Sequence, residues 1–248
     1  MPHILFLHAA TRDRHDLDGF AARVEGATVQ TVDLLGHGDA PRTPRYQVDD
    51  YARAIPLEDD TVLYGHSLGG VVALALAVRH PARVRALVLE DPPLFAITPE
   101  RMRGGRFERG FALLAQQKRD PAGPKTAADW AALIRDWPAA RPGETLADQG
   151  EDAVGRRARQ LAAFDTAVID ALLAGLATHF SVPAALTALA CPATCLAGNP
   201  ALGAAICDDD ARRLAEHPRI AVRRADTTGH YLHEAEPELC LTALAEHL

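Results

Sequence analysis

Short apolar segments alternate with longer amphipathic segments along most of the chain. The short segments are rich in β-branched residues and apolar at nearly every position, a pattern typical of strands covered on both faces of a parallel sheet. The longer segments predict the helices that cover those faces. The predicted strands are residues 4–8, 27–33, 61–65, 84–90, 193–197 and 220–225. The predicted helices include residues 50–55, 68–79, 209–217 and 236–248.

The middle of the chain, residues 94–189, has a different pattern. It shows several helical periods and no clear strand, with breaks at residues 121–124 and 138–143. A structureless loop of this length is implausible in a compact domain. The sequence therefore predicts a core built from residues 1–93 and 190–248 and a helical insertion over residues 94–189. Residues 153–176 form the clearest helix pair of this insertion.

Composition narrows the class of protein. Hydrophobic residues make up 48% of the chain and charged residues 24%, which excludes a disordered or collagen-like protein. The net charge of −7 and the pI near 5.9 argue against a nucleic-acid partner. No apolar run approaches the ~20 residues that span a bilayer, and the first residues lack a signal-peptide pattern, so no membrane association is expected.

The four cysteines predict the compartment rather than the chemistry. Their spacing lacks the paired pattern of a zinc site, so they are interpreted as reduced, partly buried thiols. Reduced thiols indicate the cytoplasm. The pattern carries no signal for the oligomeric state.

The most specific motif is GHSLGG at residues 65–70, between a predicted strand and a predicted helix. A Gly-x-Ser-x-Gly turn in this context is a nucleophile elbow. The tight turn would place the Ser67 hydroxyl at a helix N-terminus, where backbone N–H groups favour a developing anion. The alternative is a Gly-Ser turn that only joins two elements.

Around this elbow the chain resembles the α/β-hydrolase fold superfamily. Residues 4–8 resemble the strand that leads to that family's oxyanion loop, residues 33–39 resemble the loop after the next strand, and Gly229-His230 resembles the turn of the catalytic histidine. The resemblance implies a three-layer α/β/α sandwich around a mainly parallel sheet of about six strands, without the two strands that often begin the family's sheet. The insertion would then be the family's cap, or lid.

The resemblance also assigns roles to residues. Ser67 would be the nucleophile and His230 its base, in a loop at the carboxyl edge of the sheet where such folds bind ligands. The oxyanion would be bound by the backbone N–H groups of Leu68 and Ala10, with Ala9 as the neighbouring candidate. The family's usual His-Gly pair is His8-Ala9 here, and alanine also offers a backbone donor.

The acid of the triad is placed by comparing the ends of two predicted strands. Similar sequences commonly place the acid after the strand that corresponds to residues 193–197, three residues beyond a glycine. Counted from Gly198, that position is Ala201, which carries no acid. A smaller part of the superfamily places the acid after the preceding strand, which is predicted here over residues 84–90. The next residue is Asp91, and two prolines follow it. We expect Asp91 to be the acid, with Glu90 and Asp208 as substitutes.

These residues predict a serine hydrolase that cleaves a small-molecule ester, thioester or amide through an acyl-enzyme on Ser67, with no metal or organic cofactor. Two alternatives stay open: a lyase or C–C bond hydrolase on the same scaffold, and a ligand-binding member that has lost turnover. His230 and His233 also suggest a metal pair, but no third ligand has suitable spacing.

The substrate is harder to predict from the insertion. Four arginines follow one another at short intervals: Arg101, Arg103, Arg106 and Arg109. If their guanidinium groups face the cleft, they suit a carboxylate on the substrate. The alternative is that they form a solvated helix face. The aromatic residues that either line an apolar pocket or pack in the core are Phe95, Phe107, Phe111, Trp130 and Trp137.

Overall fold

One sheet of six parallel strands forms the centre of the molecule. The computed structural model describes residues 1–177 and 179–248. The strands are β1 (His3–Leu7), β2 (Thr28–Val32), β3 (Thr61–His66), β4 (Val84–Glu90), β5 (Ala193–Ala197) and β6 (Ile220–Arg224). They pair in the order β2-β1-β3-β4-β5-β6, and every pair is parallel. The predicted fold class is confirmed, and the predicted strand bounds differ by at most one residue at either end.

Helices cover the sheet and fill the long connection between β4 and β5. Those outside this connection are α1 (Asp18–Ala21), α2 (Val48–Ala54), α3 (Leu68–Arg79), α10 (Asp208–Ala215), α11 (Leu232–Ala235) and α12 (Pro237–Ala245). Within the connection lie α4 (Pro99–Met102), α5 (Arg106–Arg119), α6 (Ala127–Ile134), α7 (Glu151–Ala163), α8 (Ala167–Gly175) and α9 (Val182–Ala188). The helix predicted over 236–248 is shorter, because α12 begins at a proline and ends at Ala245.

The central strand β1 shows why the sheet is covered on both sides. Successive side chains of a strand point to opposite faces. Leu5 and Leu7 pack into a cluster with the residues of α3, whereas Ile4 and Phe6 pack into a second cluster with α1 and α12. All four side chains are fully buried. An alternating polar pattern would have left one face of this strand in water.

The connection between β4 and β5 has a hydrophobic cluster of its own. Trp130, Ile134 and Leu161 are at its centre, and all its members lie between residues 111 and 173. The end of the connection packs differently, since Leu172 of α8 and Val182 of α9 join the cluster around α3. The division at residues 94 and 189 stays a prediction, since α8 contributes residues to both clusters and α9 packs only in the cluster around α3.

No helix in the described part of the chain combines the length and apolar character that crossing a membrane requires.

Candidate active site

Ser67 occupies the turn between β3 and α3. Its backbone has φ 54° and ψ −114°, a conformation that costs a non-glycine residue about 1–3 kcal/mol and that the surrounding structure must enforce. Its N–H donates to the Glu90 carbonyl at 2.9 Å. A Cβ atom on Gly69 would lie 2.1 Å from the Leu7 carbonyl oxygen, so glycine permits α3 to approach β1 this closely. The elbow that the motif predicted is present.

Asp91 and His230 form a buried acid–base pair. His230 Nδ1 lies 2.6 Å from Asp91 Oδ2, and the Asp91 side chain is fully buried. The carboxylate also accepts the backbone N–H groups of Ala205 at 2.6 Å and Ile206 at 3.2 Å. Because an ionised carboxylate only accepts hydrogen bonds, Nδ1 carries the ring proton and Nε2 keeps its lone pair. The imidazole is therefore oriented to take a proton at Nε2.

Ser67 and His230 line the same cavity, which has a volume of about 380 Å³. The Ser67 hydroxyl has no hydrogen-bond partner among the described residues. In unliganded sites the bond between nucleophile and base is often long and shortens when substrate binds. The structure thus brings together the three residues that the sequence singled out as Ser67, Asp91 and His230.

Neither of the two substitute acids faces His230. The Glu90 carboxylate accepts the Tyr64 hydroxyl at 2.6 Å and lies 2.8 Å from His233 Nδ1. The Asp208 side chain is 72% exposed and pairs with Arg224 at 3.1 Å. Consecutive residues at the end of β4 point to opposite sides, so Asp91 and Glu90 pair with different histidines.

The loop after β1 is held by two buried histidines. Leu34 N–H donates to His8 Nε2, and Thr11 N–H donates to His37 Nε2, each at 3.0 Å. Both rings must be neutral to accept at Nε2, and burial lowers the pKa of His37 to about 3. Sequence analysis gave these histidines no role, although both lie in the segments that carry the family resemblance.

The backbone N–H groups of Leu68 and Ala10 donate to no residue in the described ranges, and both residues line the cavity together with Ala9. Two free N–H groups beside a nucleophile are what an oxyanion hole requires. Thr11, the next residue, has φ 64°, so the loop is held in a conformation that it would not adopt alone.

Arg157 of α7 fixes this loop from the connection between β4 and β5. Its Nη1 donates to the Thr11 carbonyl at 2.5 Å and its Nη2 to Thr11 Oγ1 at 3.0 Å. Burial lowers the pKa of Arg157 to about 9, so the group is still cationic at neutral pH. Sequence analysis missed Arg157, because α7 also carries Arg156 and Arg159 and no local pattern separates them.

Replacing Arg157 with methionine should lower kcat about tenfold or more, because Thr11 loses both bonds and the adjacent N–H of Ala10 moves. Loss of a whole oxyanion donor lowers the rate by ~10²–10³, and this is the largest loss in kcat expected for Arg157→Met. The readout is steady-state kinetics with a neutral ester, together with the affinity of a boronic acid that needs the oxyanion hole. Arg159→Met, at an exposed position of the same helix, is the matched control. An Arg157→Met enzyme with kcat within twofold of wild type would contradict this role.

Behind the acid–base pair lies a second buried group. Asp16, His66 and His233 each offer one ligand atom, and these atoms lie within 4.8 Å of one another. Asp16 Oδ2, His66 Nδ1 and His233 Nε2 have no hydrogen-bond partner. His66 Nε2 lies 2.8 Å from the His230 carbonyl and donates to it. His66 Nδ1 is then the unprotonated nitrogen of the ring, an acceptor without a donor. Two imidazoles and a carboxylate are a ligand set that suits a metal.

Protonation of His233 supplies a positive charge next to the unpaired atoms of Asp16 and His66. Burial alone would lower the pKa of His233, but the Glu90 carboxylate outweighs burial and raises it to about 9. His233 Nε2 lies 3.8 Å from Glu234 Oε1, and Asp16 and His66 belong to the same buried group. The metal pair suggested by His230 and His233 is not formed by these two rings, since each binds a separate carboxylate. His233 is buried.

The raised pKa of His233 predicts how stability depends on pH. The unfolded histidine titrates near 6.5 and the folded one near 9, so folding is favoured by up to roughly 3 kcal/mol below pH 6.5, and this is lost as the pH rises through 9. We expect His233→Gln to flatten the fall in the free energy of unfolding between pH 6.5 and 9, measured by urea titration. His15→Gln, at an exposed site, should retain the fall. An equal fall in wild type and His233→Gln would refute this assignment.

The arginines of the insertion divide into distinct groups. Arg101 binds Asp210 with two bonds of 2.9 and 3.0 Å, and Arg109 donates to the Gly104 carbonyl. Arg101 and Arg106 line the cavity, and Arg103 and Arg109 do not. Of the aromatic residues, Phe107, Phe111 and Trp137 line the cavity, Trp130 is buried in the separate cluster, and Phe95 packs under Arg213.

A parallel sheet with a serine at a strand-to-helix turn, and with an Asp–His pair at the carboxyl edge, is the architecture of the α/β hydrolases. A model of the alpha/beta hydrolase family matches residues 4–243, and the chain belongs to this family.

Individual relatives match shorter segments. A pimeloyl-[acyl-carrier protein] methyl ester esterase of Neisseria meningitidis serogroup C is 40% identical over 89 residues, or 35% of each chain. A mouse (lyso)-N-acylphosphatidylethanolamine lipase is 35% identical over 95 residues, which are 34% of this chain and 27% of the lipase. The matches thus span about a third or less of these relatives.

The likeness to solved structures covers the whole chain. A thermophilic esterase from Thermogutta terrifontis, with malate bound, superposes with a TM-score of 0.71 at 21% identity. The superposition covers 99% of this chain and 89% of that esterase. At this identity the likeness shows a common fold.

Proposed function

We propose that the protein is a serine hydrolase that cleaves a small-molecule carboxylic ester, thioester or amide through an acyl-enzyme on Ser67. The observation that carries the proposal is the 2.6 Å bond between His230 Nδ1 and Asp91 Oδ2 beside a cavity that Ser67 also lines. The relatives named above are an esterase and a lipase, which supports ester cleavage as the reaction class.

The mechanism follows from the proton positions. His230 Nε2 accepts the Ser67 proton as the hydroxyl oxygen attacks the substrate carbonyl. The N–H groups of Leu68 and Ala10 bind the oxyanion that develops. Asp91 holds the tautomer of His230 and stabilises the imidazolium, which protonates the leaving group. Water, activated by the same ring, then attacks the acyl-enzyme and releases Ser67.

The second part of the proposal is that residues 94–189 act as a cap that determines the substrate. This segment contributes Phe107, Phe111 and Trp137 to the cavity, so most of the wall opposite Ser67 comes from it. A cavity of about 380 Å³ accommodates a small ligand and is too small for most of a long lipid. We assign the reaction to the cytoplasm, because all four cysteines are unpaired and three of them are buried.

We further propose that the substrate carries a carboxylate. The cavity is largely apolar but has arginine side chains in its wall. A guanidinium group in the wall of a cavity offers parallel N–H donors that match the two oxygens of a carboxylate.

Product analysis tests the reaction class. The enzyme is incubated with simple methyl and p-nitrophenyl esters, and the acid and alcohol are quantified by NMR. Equal amounts of acid and alcohol, dependent on Ser67, are expected for a hydrolase. The placement of the acid after β4 also keeps a C–C bond hydrolase or lyase as the second candidate. Cleavage of β-diketones without cleavage of any ester would favour that candidate and refute the first.

A further inference from the structure

The cavity wall contains three arginines, and two of them already have partners. Arg101 is bound by both oxygens of Asp210. Arg157 gives both terminal nitrogens to Thr11. Arg106, at the first turn of α5, has no carboxylate within 4.0 Å and no side-chain hydrogen bond among the described residues. Its cationic group is therefore the one that is available to a ligand of this cavity.

The fold holds the Arg106 guanidinium close to the reacting residues. It lies 5.5 Å from the centre of the Phe107 ring, and that ring lies 5.3 Å from the ring of His230. One aromatic ring thus separates the cation from the catalytic base that we propose. The guanidinium therefore lies within about 11 Å of the His230 ring, a span that a small extended ligand of the cavity can cover.

Gly203 leaves the space that this arginine occupies. A Cβ atom on Gly203 would lie 1.3 Å from Arg106 Nη1, so any other residue would displace the guanidinium. Gly203 also has φ 100°, a conformation that favours glycine. The turn between β5 and α10 and the start of α5 therefore fit together around the Arg106 side chain.

The nearby acids leave the charge of Arg106 without a counter-ion. Asp91 is bound to His230 and to three backbone N–H groups, Asp210 is bound to Arg101, and Asp208 is bound to Arg224. Arg106 is exposed to solvent and shares the cavity wall with apolar residues that include Met102 and Phe107. A carboxylate is a suitable ligand, since a guanidinium binds both of its oxygens in one plane.

From these observations we infer that Arg106 is the carboxylate-binding residue of the cavity and selects esters that carry a carboxylate a few bonds from the scissile carbonyl. The inference rests on the proposed function and deepens it. Arg106 acts on substrate choice, so its replacement should change KM for acidic esters more than kcat.

Matched substrates with and without the charge give the direct test. Monomethyl glutarate is compared with its carboxamide twin, methyl 5-amino-5-oxopentanoate, and 4-acetoxybutanoate with 4-acetoxybutanamide, so that the carboxylate is on the acyl side in one pair and on the leaving group in the other. Wild type should prefer the carboxylate member of at least one pair by about tenfold to 100-fold in kcat/KM. Arg106→Gln should bring this ratio close to one, and Arg106→Lys should retain part of it. Arg103→Gln, an exposed neighbour outside the cavity, should retain all of it.

Binding to an inactive enzyme separates this inference from the proposed function. Titration calorimetry with Ser67→Ala and Ser67→Ala/Arg106→Gln measures the affinity for the same substrates without turnover. Stronger binding of the carboxylate member that depends on Arg106 supports the inference even if wild type cleaves no ester. Ester cleavage with a carboxylate-to-carboxamide ratio near one in wild type overturns it together with the proposed carboxylate on the substrate, and a ratio unchanged in Arg106→Gln overturns the role of Arg106; either result leaves the proposed serine hydrolase standing.

Discussion

Ser67→Ala is expected to lower kcat for ester hydrolysis by about 10⁶-fold, the loss found when a serine protease loses its nucleophile. Alanine lacks the oxygen that attacks the carbonyl, whereas the cavity, His230 and the N–H groups of Leu68 and Ala10 are unchanged. The residual rate should come from these groups acting on water. The measurement is the initial rate with p-nitrophenyl acetate, at an enzyme concentration high enough to detect the residual activity.

The chain contains a natural control, since Ser67 and Ser181 are its only two serines. Ser181 caps α9 through a bond to the Ala184 N–H and lies outside the cavity. Ser181→Ala should lower stability slightly and keep kcat close to that of wild type. A Ser67→Ala protein that retains a tenth of the activity would show that the serine does not form an acyl-enzyme.

Asp91→Asn is expected to lower kcat by about 10⁴-fold, because the amide favours the wrong tautomer of His230 and removes the charge that stabilises the imidazolium. Asparagine is the suitable replacement for two reasons. It has nearly the same shape, and it tolerates the left-handed backbone that Asp91 adopts at φ 39°. The variant should therefore fold, which circular dichroism and thermal melting will verify.

Asp208→Asn is the matched control for the acid. Asp208 lies at the exposed start of α10, and its replacement should leave kcat within about threefold of wild type. If Asp91→Asn stayed within threefold and Asp208→Asn lost activity, the acid would be Asp208 and the proposed pairing would be wrong.

The fold was accessible from the sequence because its signals are local. Most strands are short apolar runs, so the residues that form each of them are adjacent in the chain; the edge strands β2 and β6 carry polar residues as well. The elbow is equally local, since Ser67 and Gly69 determine one turn. Asp91 required a longer argument, in which the usual position carried an alanine and the end of the preceding strand carried an acid followed by two prolines.

The supports of the site were not accessible in this way, because they are pairings between distant residues. Arg157 and Thr11 are 146 positions apart, and Glu90 and His233 are 143 positions apart. Whether a buried polar group is satisfied depends on which distant group the fold places beside it. A single sequence gives each of these residues a type but no partner. Arg106 shows the same limit, since only the structure separates it from the other arginines near it.

Intact-mass spectrometry after treatment with a small fluorophosphonate tests the central claim most directly, because only an activated serine reacts. The account predicts one adduct on wild type and on Ser181→Ala, and none on Ser67→Ala. An unmodified wild type that is folded, or an adduct that persists on Ser67→Ala, would contradict an activated nucleophile at Ser67.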